Sequence, residues 1–322
     1  MTSINFIMKG DIMLNLYRYI GFEDFVNLVV LKKDRYNYPA NWDDGYEGFL
    51  FSNMETEDEI KTLVSKMYYE VCRKNYNAVI DNILKMADYK YITRAQCWTT
   101  HAESDAMWRI YSYQNKAVRI KTNYDKLLAH AKELYPNNPV VLEKIIYDAD
   151  KVMDVQSQND LMRASRKVYE TYLHKRPAFS HESEYRILVG PHALFNCATY
   201  IRSCKLKEGF DEWYHGKKDI HYSDDDIIEK LSSILFSFLN NHPDKEDVLA
   251  MMNEDKKKDD KDGNDKDDKN KNDKVKINIT DFIEGVMVHP KAEDWYVKNI
   301  QNFCDEYKLN FEGKSQIYKL KK

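Results

Sequence analysis

The sequence has few of the residues and none of the motifs that mark common nucleotide-binding and hydrolytic enzymes. It has only 10 glycines in 322 residues and no Gly-rich phosphate loop, which argues against a Rossmann-type dinucleotide site. It also lacks a Gly-x-Ser-x-Gly nucleophile turn and a His-Glu-x-x-His metal-binding helix. These absences lower the weight of most common enzyme classes.

Cysteine is scarce too, and long apolar runs are missing. The five cysteines are scattered, odd in number and without Cys-x-x-Cys spacing, which argues against a disulfide framework or structural zinc and indicates a reducing compartment. No apolar run approaches the roughly 18 residues that a membrane span needs. The polar start MTSINFIMKGDIML does not resemble a signal peptide. We therefore expect a cytoplasmic protein with no membrane partner and no structural metal; the oligomeric state is left open.

Charge of neither sign dominates the chain. It carries 49 basic and 53 acidic residues, a net charge of −4, so no global basic field indicates nucleic-acid binding. Residues 254–274 concentrate eight lysines and nine acidic residues with no apolar side chain. Such a segment has no apolar side chains whose burial could offset the conformational entropy lost on ordering, so we expect a disordered insertion in a surface loop.

Strand-like and helix-like segments alternate along the chain. This predicts an α+β fold in a single domain over residues 1–322, with a mixed or antiparallel central sheet flanked by helices. Strands are predicted at 12–20, 94–100, 116–122, 140–147, 181–189, 192–201, 275–290 and 315–320. Helices are predicted at 22–30, from 55 to about 88 with a break near Asn75, at 103–114 with Ser104 or Asp105 as its cap, at 124–135, at about 156–174, from 224, and at 292–307.

Four polar clusters lie in aromatic surroundings. In the first, Arg18 stands on a predicted strand between Tyr17 and Tyr19. A strand-borne guanidinium offers a rigid fork suited to phosphate, whereas the alternative is an ion pair with a neighbouring carboxylate. The second is the acidic turn PANWDDGYEG at 39–48, whose carboxylates suit Mg²⁺ or simply bond the turn's own backbone.

The third cluster follows the strand predicted at 94–100. Thr99, Thr100 and His101 stand at its end, where polar groups often touch a substrate. Trp98, Trp108 and Tyr111 are candidates to stack on a base, although aromatic residues at such spacing more often belong to a core.

The fourth cluster places Glu182, Glu184 and Arg186 at every second position of a predicted strand. Alternation sends all three to one face, with neighbouring glutamates about 6.5 to 7 Å apart. In a dry site their repulsion would raise at least one carboxyl pKa toward the range of a general acid or base, and Arg186 would counter this. The alternative is a hydrated charged strand face.

In this order the clusters resemble a bacterial family designated domain of unknown function 2971. The matching segments run along nearly the whole chain except the Lys/Asp insertion: LYRY, PANWDDGYE, CWTT, MWRIY, AVRIKT, FSHESEYR, VMVHPKAEDW and KSQIY. Gly45 departs from the family pattern, in which proline is usual. The resemblance implies no activity.

A second resemblance, to arginine-type ADP-ribosyltransferases, does imply one. Three strands of those enzymes carry Arg, then Ser/Thr, then Glu-x-Glu, in chain order. It implies that Arg18 holds the NAD⁺ diphosphate and Thr99 braces the site. Glu184 would stabilise an oxocarbenium-like transition state, and Glu182 would orient or deprotonate an acceptor that is a protein or a nucleic acid. Trp98 or Tyr111 would grip nicotinamide. The Ser-Thr-Ser triplet of those enzymes is missing, and Arg186 is not part of their pattern.

Two other functions compete with an NAD-dependent enzyme that acts as a toxin or in antiviral defence. One is a non-catalytic module that uses the Arg/Glu cluster to bind an anionic ligand, a peptide or a phage component. The other is a metal-dependent nuclease or phosphoesterase built on Asp43, Asp44, Glu47 and Glu182.

Overall fold

A computed structural model describes residues 14–42, 44, 46–48, 56–148, 171–191, 193–216, 220–241 and 278–319. The elements before the middle of the chain are β1 (Asn15–Gly21), α1 (Phe22–Val30), α2 (Glu57–Lys66), α3 (Tyr76–Ile92), β2 (Arg94–Thr99), α4 (Asp105–Tyr111), β3 (Ala117–Asn123), α5 (Tyr124–Leu134) and β4 (Val140–Lys144). The remaining elements are β5 (Glu184–Val189), α6 (Ala193–His215), α7 (Asp224–Asn241), α8 (Ile279–Phe282), β6 (Gly285–Val288), α9 (Asp294–Glu306) and β7 (Phe311–Lys314).

Within the described ranges, seven strands form one sheet in the order β4-β5-β2-β1-β3-β6-β7. Neighbouring strands are antiparallel except for β6 and β7, which are parallel. The fold is therefore α+β with a mixed, mostly antiparallel open sheet, as the interleaved patterns predict. Among the described helices, none combines the length and apolar character needed to cross a membrane.

Each face of the sheet carries its own hydrophobic core, because successive strand residues point to opposite sides. Leu188 joins the core that packs under α2, α3, α6 and α7. Its neighbour Ile187 joins the second core, which includes residues of α1, α5, α8 and α9. β5 is therefore covered on both faces.

The centre of the sheet is split. β1 and β3 stay in register along all of Asn15–Gly21, but β1 meets β2 at Tyr17 opposite Thr99. Near the start of β2, Ala95 exchanges two backbone hydrogen bonds with Asn37, at 2.7 and 2.9 Å. The segment after α1 thus takes the place of β1 beside β2 and holds the two strands apart.

Several local signals are confirmed. α1 covers residues 22–30 as predicted, and the helix break near Asn75 is the cap of α3, whose side chain accepts from the Ala78 amide. Ser104, rather than Asp105, caps α4.

Other predictions are wrong. Residues 193–201 belong to helix α6 and not to a strand, because α6 packs along α3, where Arg202 pairs with Asp88 at 2.6 Å. Of the described residues in the strand predicted at 275–290, only Gly285–Val288 form a strand, β6, which follows the short helix α8. The last strand is β7 at Phe311–Lys314, and the strand predicted at 315–320 is turn and coil over its described residues.

The helix predicted at about 156–174 lies mostly outside the described residues. Its described end, Thr171 to Leu173, forms a 3₁₀ turn, and His174 pairs with Ile146 in an isolated β-bridge. The charged segment at 254–274 also lies outside the described residues.

Candidate functional site

A tight turn precedes β5 and separates the two glutamates of the Glu-x-Glu pair. Glu182 ends a 3₁₀ helix over Pro177–Glu182, and Ser183 adopts a left-handed conformation with φ of 43°. The strand begins only at Glu184, so the prediction that it extends back through Glu182 is wrong. The Thr99 hydroxyl of β2 donates to the Glu182 carbonyl at 2.6 Å and fixes this turn against the sheet.

Glu184 and Arg186 lie on the same face of β5, as alternation predicts. Glu184 is 2% exposed and Arg186 is fully buried, so the alternative of a hydrated charged strand face is wrong. The pair makes two contacts, from Arg186 Nε to Glu184 Oε1 at 2.7 Å and from Nη2 to Oε2 at 3.0 Å. The strand start is also held by the Tyr147 hydroxyl, which accepts from the Glu184 amide at 2.7 Å.

Lys175 joins three carboxylates into one cluster. Its Nζ lies 2.6 Å from Glu182 Oε2, 3.3 Å from Glu184 Oε2 and 3.4 Å from Glu47 Oε1. Arg186 closes the cluster, since its Nη1 lies 2.6 Å from Glu47 Oε2. We call these five residues the ion cluster: Glu47, Lys175, Glu182, Glu184 and Arg186.

The electrostatics of the ion cluster differ between its carboxylates. Burial alone would raise the pKa of Glu184, but Arg186 and Lys175 outweigh burial and hold that pKa below its ordinary value. For Glu47, burial outweighs the same two cations, and its pKa is raised. Burial alone would lower the pKa of Lys175, but the carboxylates of Glu184, Glu47 and Glu182 outweigh burial, and its pKa is raised above the ordinary value.

The ion cluster forms part of the wall of a cavity of about 500 Å³ that opens where β1 and β2 separate. This volume lies within the range of small-molecule sites. Seven of the residues singled out from the sequence border this cavity, namely Arg18, Trp98, Thr99, Tyr111, Glu182, Glu184 and Arg186, whereas Thr100 and His101 are not among its lining residues.

Arg18 is committed to an internal partner. Its Nη1 donates to Asp34 Oδ1 at 2.9 Å, and the other oxygen of Asp34 lies 3.1 Å from His130 Nε2. Gln96 also donates to Asp34, at 2.8 Å. Burial alone would raise the pKa of Asp34, but hydrogen bonding to His130 and the charge of Arg18 lower it. The alternative that Arg18 pairs a neighbouring carboxylate is thus confirmed, while Arg18 still borders the cavity.

The two aromatic candidates differ in accessibility. Trp98 is buried in the second core, where its ring lies 6.1 Å from that of Phe282 and its Nε1 donates to Gln96 Oε1 at 2.7 Å. Tyr111 lies partly exposed at the cavity wall, and burial together with the nearby Glu182 raises the pKa of its hydroxyl. Tyr111 is therefore the better placed of the two to contact a bound ring.

The described carboxylates of the acidic turn are paired with cations. Asp43 lies outside the described residues, Asp44 pairs with Arg176 at 3.0 Å, and Glu47 belongs to the ion cluster. In the described parts of the chain, no group of three or more His, Cys, Asp or Glu side chains is arranged to hold a metal ion.

Sequence reasoning missed Lys175 entirely and assigned Glu47 to a different partner set. Both residues come from irregular segments, so no strand or helix periodicity indicated which way they point. The spacing of Glu182, Glu184 and Arg186 was a usable signal because it falls mostly within one strand.

Comparison with known proteins gives one match. Residues 107–187 match a family model. The model is described as a protein of unknown function, DUF2971, and the matched range includes Tyr111 together with Lys175, Glu182, Glu184 and Arg186 of the ion cluster. The DUF2971 match therefore includes four of the five ion-cluster residues, while Arg18 and Thr99 lie before it. No curated protein matches the chain. No solved structure matches it either, so no structural neighbour supports the resemblance to ADP-ribosyltransferases.

Proposed function

We propose that the cavity binds NAD⁺ and that the protein transfers or releases its ADP-ribosyl group. One observation carries the proposal: Arg18, Thr99 and Glu184 stand on β1, β2 and β5 and border a single cavity. These three strands are neighbours in the sheet, in the order β5-β2-β1. The three residues that follow one another in the sequence as Arg, Thr and Glu therefore lie on adjacent strands at the same cavity.

Two arginines and an aromatic ring at the cavity support the choice of NAD⁺ as the ligand. Arg18 and Arg35 border the cavity, and Arg35 is largely exposed with Asp24 at 3.9 Å as its ion-pair partner. Two arginines favour an anionic group such as a diphosphate by their charge, and Arg35 has the freer guanidinium, because both Nη atoms of Arg18 already donate, to Asp34 and to the Arg35 carbonyl. Tyr111 offers a ring for stacking, and the ion cluster supplies carboxylates for ribose hydroxyls.

Glu184 has the ionisation state that the chemistry needs. In the proposed reaction the bond between nicotinamide and ribose C1′ breaks, and its electron pair leaves with neutral nicotinamide. Positive charge develops at C1′, where a fixed carboxylate stabilises it electrostatically. Arg186 and Lys175 keep Glu184 ionised. A nucleophile then bonds to C1′ and passes its proton to Glu182 or to water.

Arg186 gives the site a feature outside the ADP-ribosyltransferase pattern. It orients Glu184 through two contacts and therefore reduces the hydrogen-bonding capacity left for a ligand. Thr99 acts through Glu182, whose carbonyl it binds, rather than as part of a Ser-Thr-Ser triplet. The acceptor is a protein or a nucleic acid in this proposal, and a toxin or antiviral-defence setting would suit such an enzyme in a bacterium.

One observation favours a second candidate, a non-catalytic binding module for an anionic ligand. Both oxygens of Glu184 already accept from Arg186, and Lys175 adds a third contact. In that case NAD⁺ or another anionic nucleotide would bind without losing nicotinamide.

The test is thermal unfolding of the purified protein with and without NAD⁺, together with assay of released nicotinamide. At 100 times its dissociation constant a ligand stabilises by about 2.7 kcal/mol, which is readily detected. We expect wild type to show both effects and Glu184→Gln to keep the shift but lose most of the release. Asp88→Asn is the matched control, since it removes a buried carboxylate paired with Arg202 away from the cavity.

Three outcomes are distinguishable. A shift without release in wild type supports the binding module. Absence of both effects overturns the NAD⁺ proposal. Stabilisation by Mg²⁺ or Mn²⁺ instead of NAD⁺ would point to the metal-dependent phosphoesterase.

A further inference from the structure

Lys175 stands at the centre of the ion cluster without being part of any pattern in the sequence. Its ammonium contacts carboxylates from three separate segments: Glu47 from the turn at 46–48, Glu182 from the 3₁₀ turn and Glu184 from β5. The Phe179 ring lies 4.8 Å from Nζ and covers another side of the ammonium. A lysine held in this way loses its rotational freedom and fixes the positions of its partners.

We propose that Lys175 is the positioning residue of the cavity: it holds the carboxylates of Glu182 and Glu184 in place and balances their charge. This inference rests on the proposed function for its catalytic consequence, but not for the geometry. The formal charge of the ion cluster is −1, from three carboxylates and two cations. Without Lys175 the charge would be −2, in a place from which water is largely excluded.

The two cations of the ion cluster contact different sets of carboxylates. Arg186 contacts Glu184 and Glu47, whereas Lys175 contacts these two and also Glu182. Glu182 is therefore linked to the other carboxylates through Lys175. Loss of this one ammonium would remove the cation that holds Glu182 and would raise the pKa of Glu184.

The groups that face Lys175 determine how its removal changes the pH dependence. They are the carboxylates of Glu47, Glu182 and Glu184, with Tyr111 on α4 and Tyr147 after β4. Arg186 and Cys97 on β2 act on the same carboxylates. Burial and the charge of Glu184 raise the pKa of the Cys97 thiol, so this thiol stays neutral near pH 7. The carboxylates are then the groups that respond.

The test compares Lys175→Met, Lys175→Arg and a control, Arg202→Met, which removes a buried cation paired with Asp88 elsewhere in the fold. The first readout is nicotinamide release as a function of pH. In Lys175→Met we expect the acidic limb of the profile to move upward by about one unit or more, because an opposite charge has been removed. Lys175→Arg should keep the acidic limb at its wild-type pH. Arg202→Met should lower thermal stability without shifting the acidic limb.

The second readout does not depend on catalysis. Glutamate carboxyl carbons, labelled with ¹³C, are titrated by NMR in wild type and Lys175→Met. We expect the Glu184 titration to move to higher pH in the variant. An unchanged titration in a folded variant overturns the role of Lys175. Absence of nicotinamide release in wild type overturns the proposed function instead, so the two failures are separable.

If the Met variant does not fold, wild type alone decides the matter. A lysine-acylating reagent attacks neutral, accessible amines, so a positioned and buried Lys175 should stay unmodified while exposed lysines such as Lys61 react. Modification of Lys175 at the rate of Lys61 overturns the proposal.

Discussion

Arg186 and Glu184 form a two-contact ion pair on one face of β5, and both side chains are buried. Neither charge has bulk water beside it, so each depends on its protein partners. The Trp42 ring lies 4.4 Å from the Arg186 guanidinium and covers it. Breaking such a pair from one side leaves a buried charge without compensation.

Arg186→Met should lower the free energy of unfolding by about 3–5 kcal/mol, because Glu184 and Glu47 lose the nearer of the two cations that they share. Urea denaturation measures the loss. Arg109→Met is the comparison, since Arg109 pairs with Asp105 on the exposed surface of α4 and its removal should change stability little. Equal effects of the two substitutions would contradict the buried character of the Glu184–Arg186 pair.

The stabilising effect of Glu184 should depend on pH in a defined direction. Its pKa in the folded state is lowered, so its contribution is fully present above the ordinary glutamate value of about 4.3 and is lost as the pH falls through the folded-state pKa. The stability difference between wild type and Glu184→Gln should therefore shrink from pH 7 to pH 3 in urea titrations. A difference that stays constant over this range would refute the prediction.

Glu47 should behave in the opposite way, because its folded-state pKa is raised. Ionisation of this carboxyl is unfavourable for the folded state, so Glu47→Gln should be least damaging at neutral pH and more damaging where the wild-type carboxyl is protonated. The same urea titrations test this. A loss for Glu47→Gln that is largest at pH 7 would contradict it.

Gly48 should not tolerate a side chain. Its φ is +70°, and an added Cβ would collide with the Tyr172 ring. Gly48→Ala should destabilise by about 1–3 kcal/mol and displace Glu47 from the ion cluster. Gly209→Ala is the matched control, because Gly209 lies within α6 with open space around it. This substitution should stabilise the protein by up to about 1 kcal/mol. Thermal unfolding distinguishes the two, and a neutral Gly48→Ala would show that the turn adjusts freely.

The buried hydroxyl of Thr99 should matter more than its methyl group. Thr99→Val leaves the Glu182 carbonyl without its donor and should cost about 1–3 kcal/mol, whereas Thr99→Ser keeps the bond. If the NAD⁺ proposal is correct, Thr99→Val should also weaken the thermal shift by NAD⁺. Thr62→Val, at an exposed helical site, controls for loss of a threonine hydroxyl that bonds the carbonyl four residues earlier.

Much of the fold could be predicted where the signal is local. The period of α1, the helix break near Asn75 and a cap at Ser104 or Asp105 depend on neighbouring residues only, and all three are confirmed, with Ser104 as the cap. Segment 193–201 lacks such a signal, since its apolar residues suit a strand as well as a helix, and packing along α3 decides between them. The C-terminal strand was misplaced for a similar reason, because β7 exists through its pairing with β6.

The sequence by itself determined the alternation of strands and helices, and with it the common face of Glu184 and Arg186, because side-chain direction follows from backbone period. It did not determine that this face is buried or that Lys175 lies against it. Only the tertiary structure decided these points, because Lys175 and Glu47 reach β5 from irregular segments whose positions depend on contacts distant in sequence. The charge balance of the cavity, and therefore the pKa of each carboxyl, is for that reason a property of the folded protein.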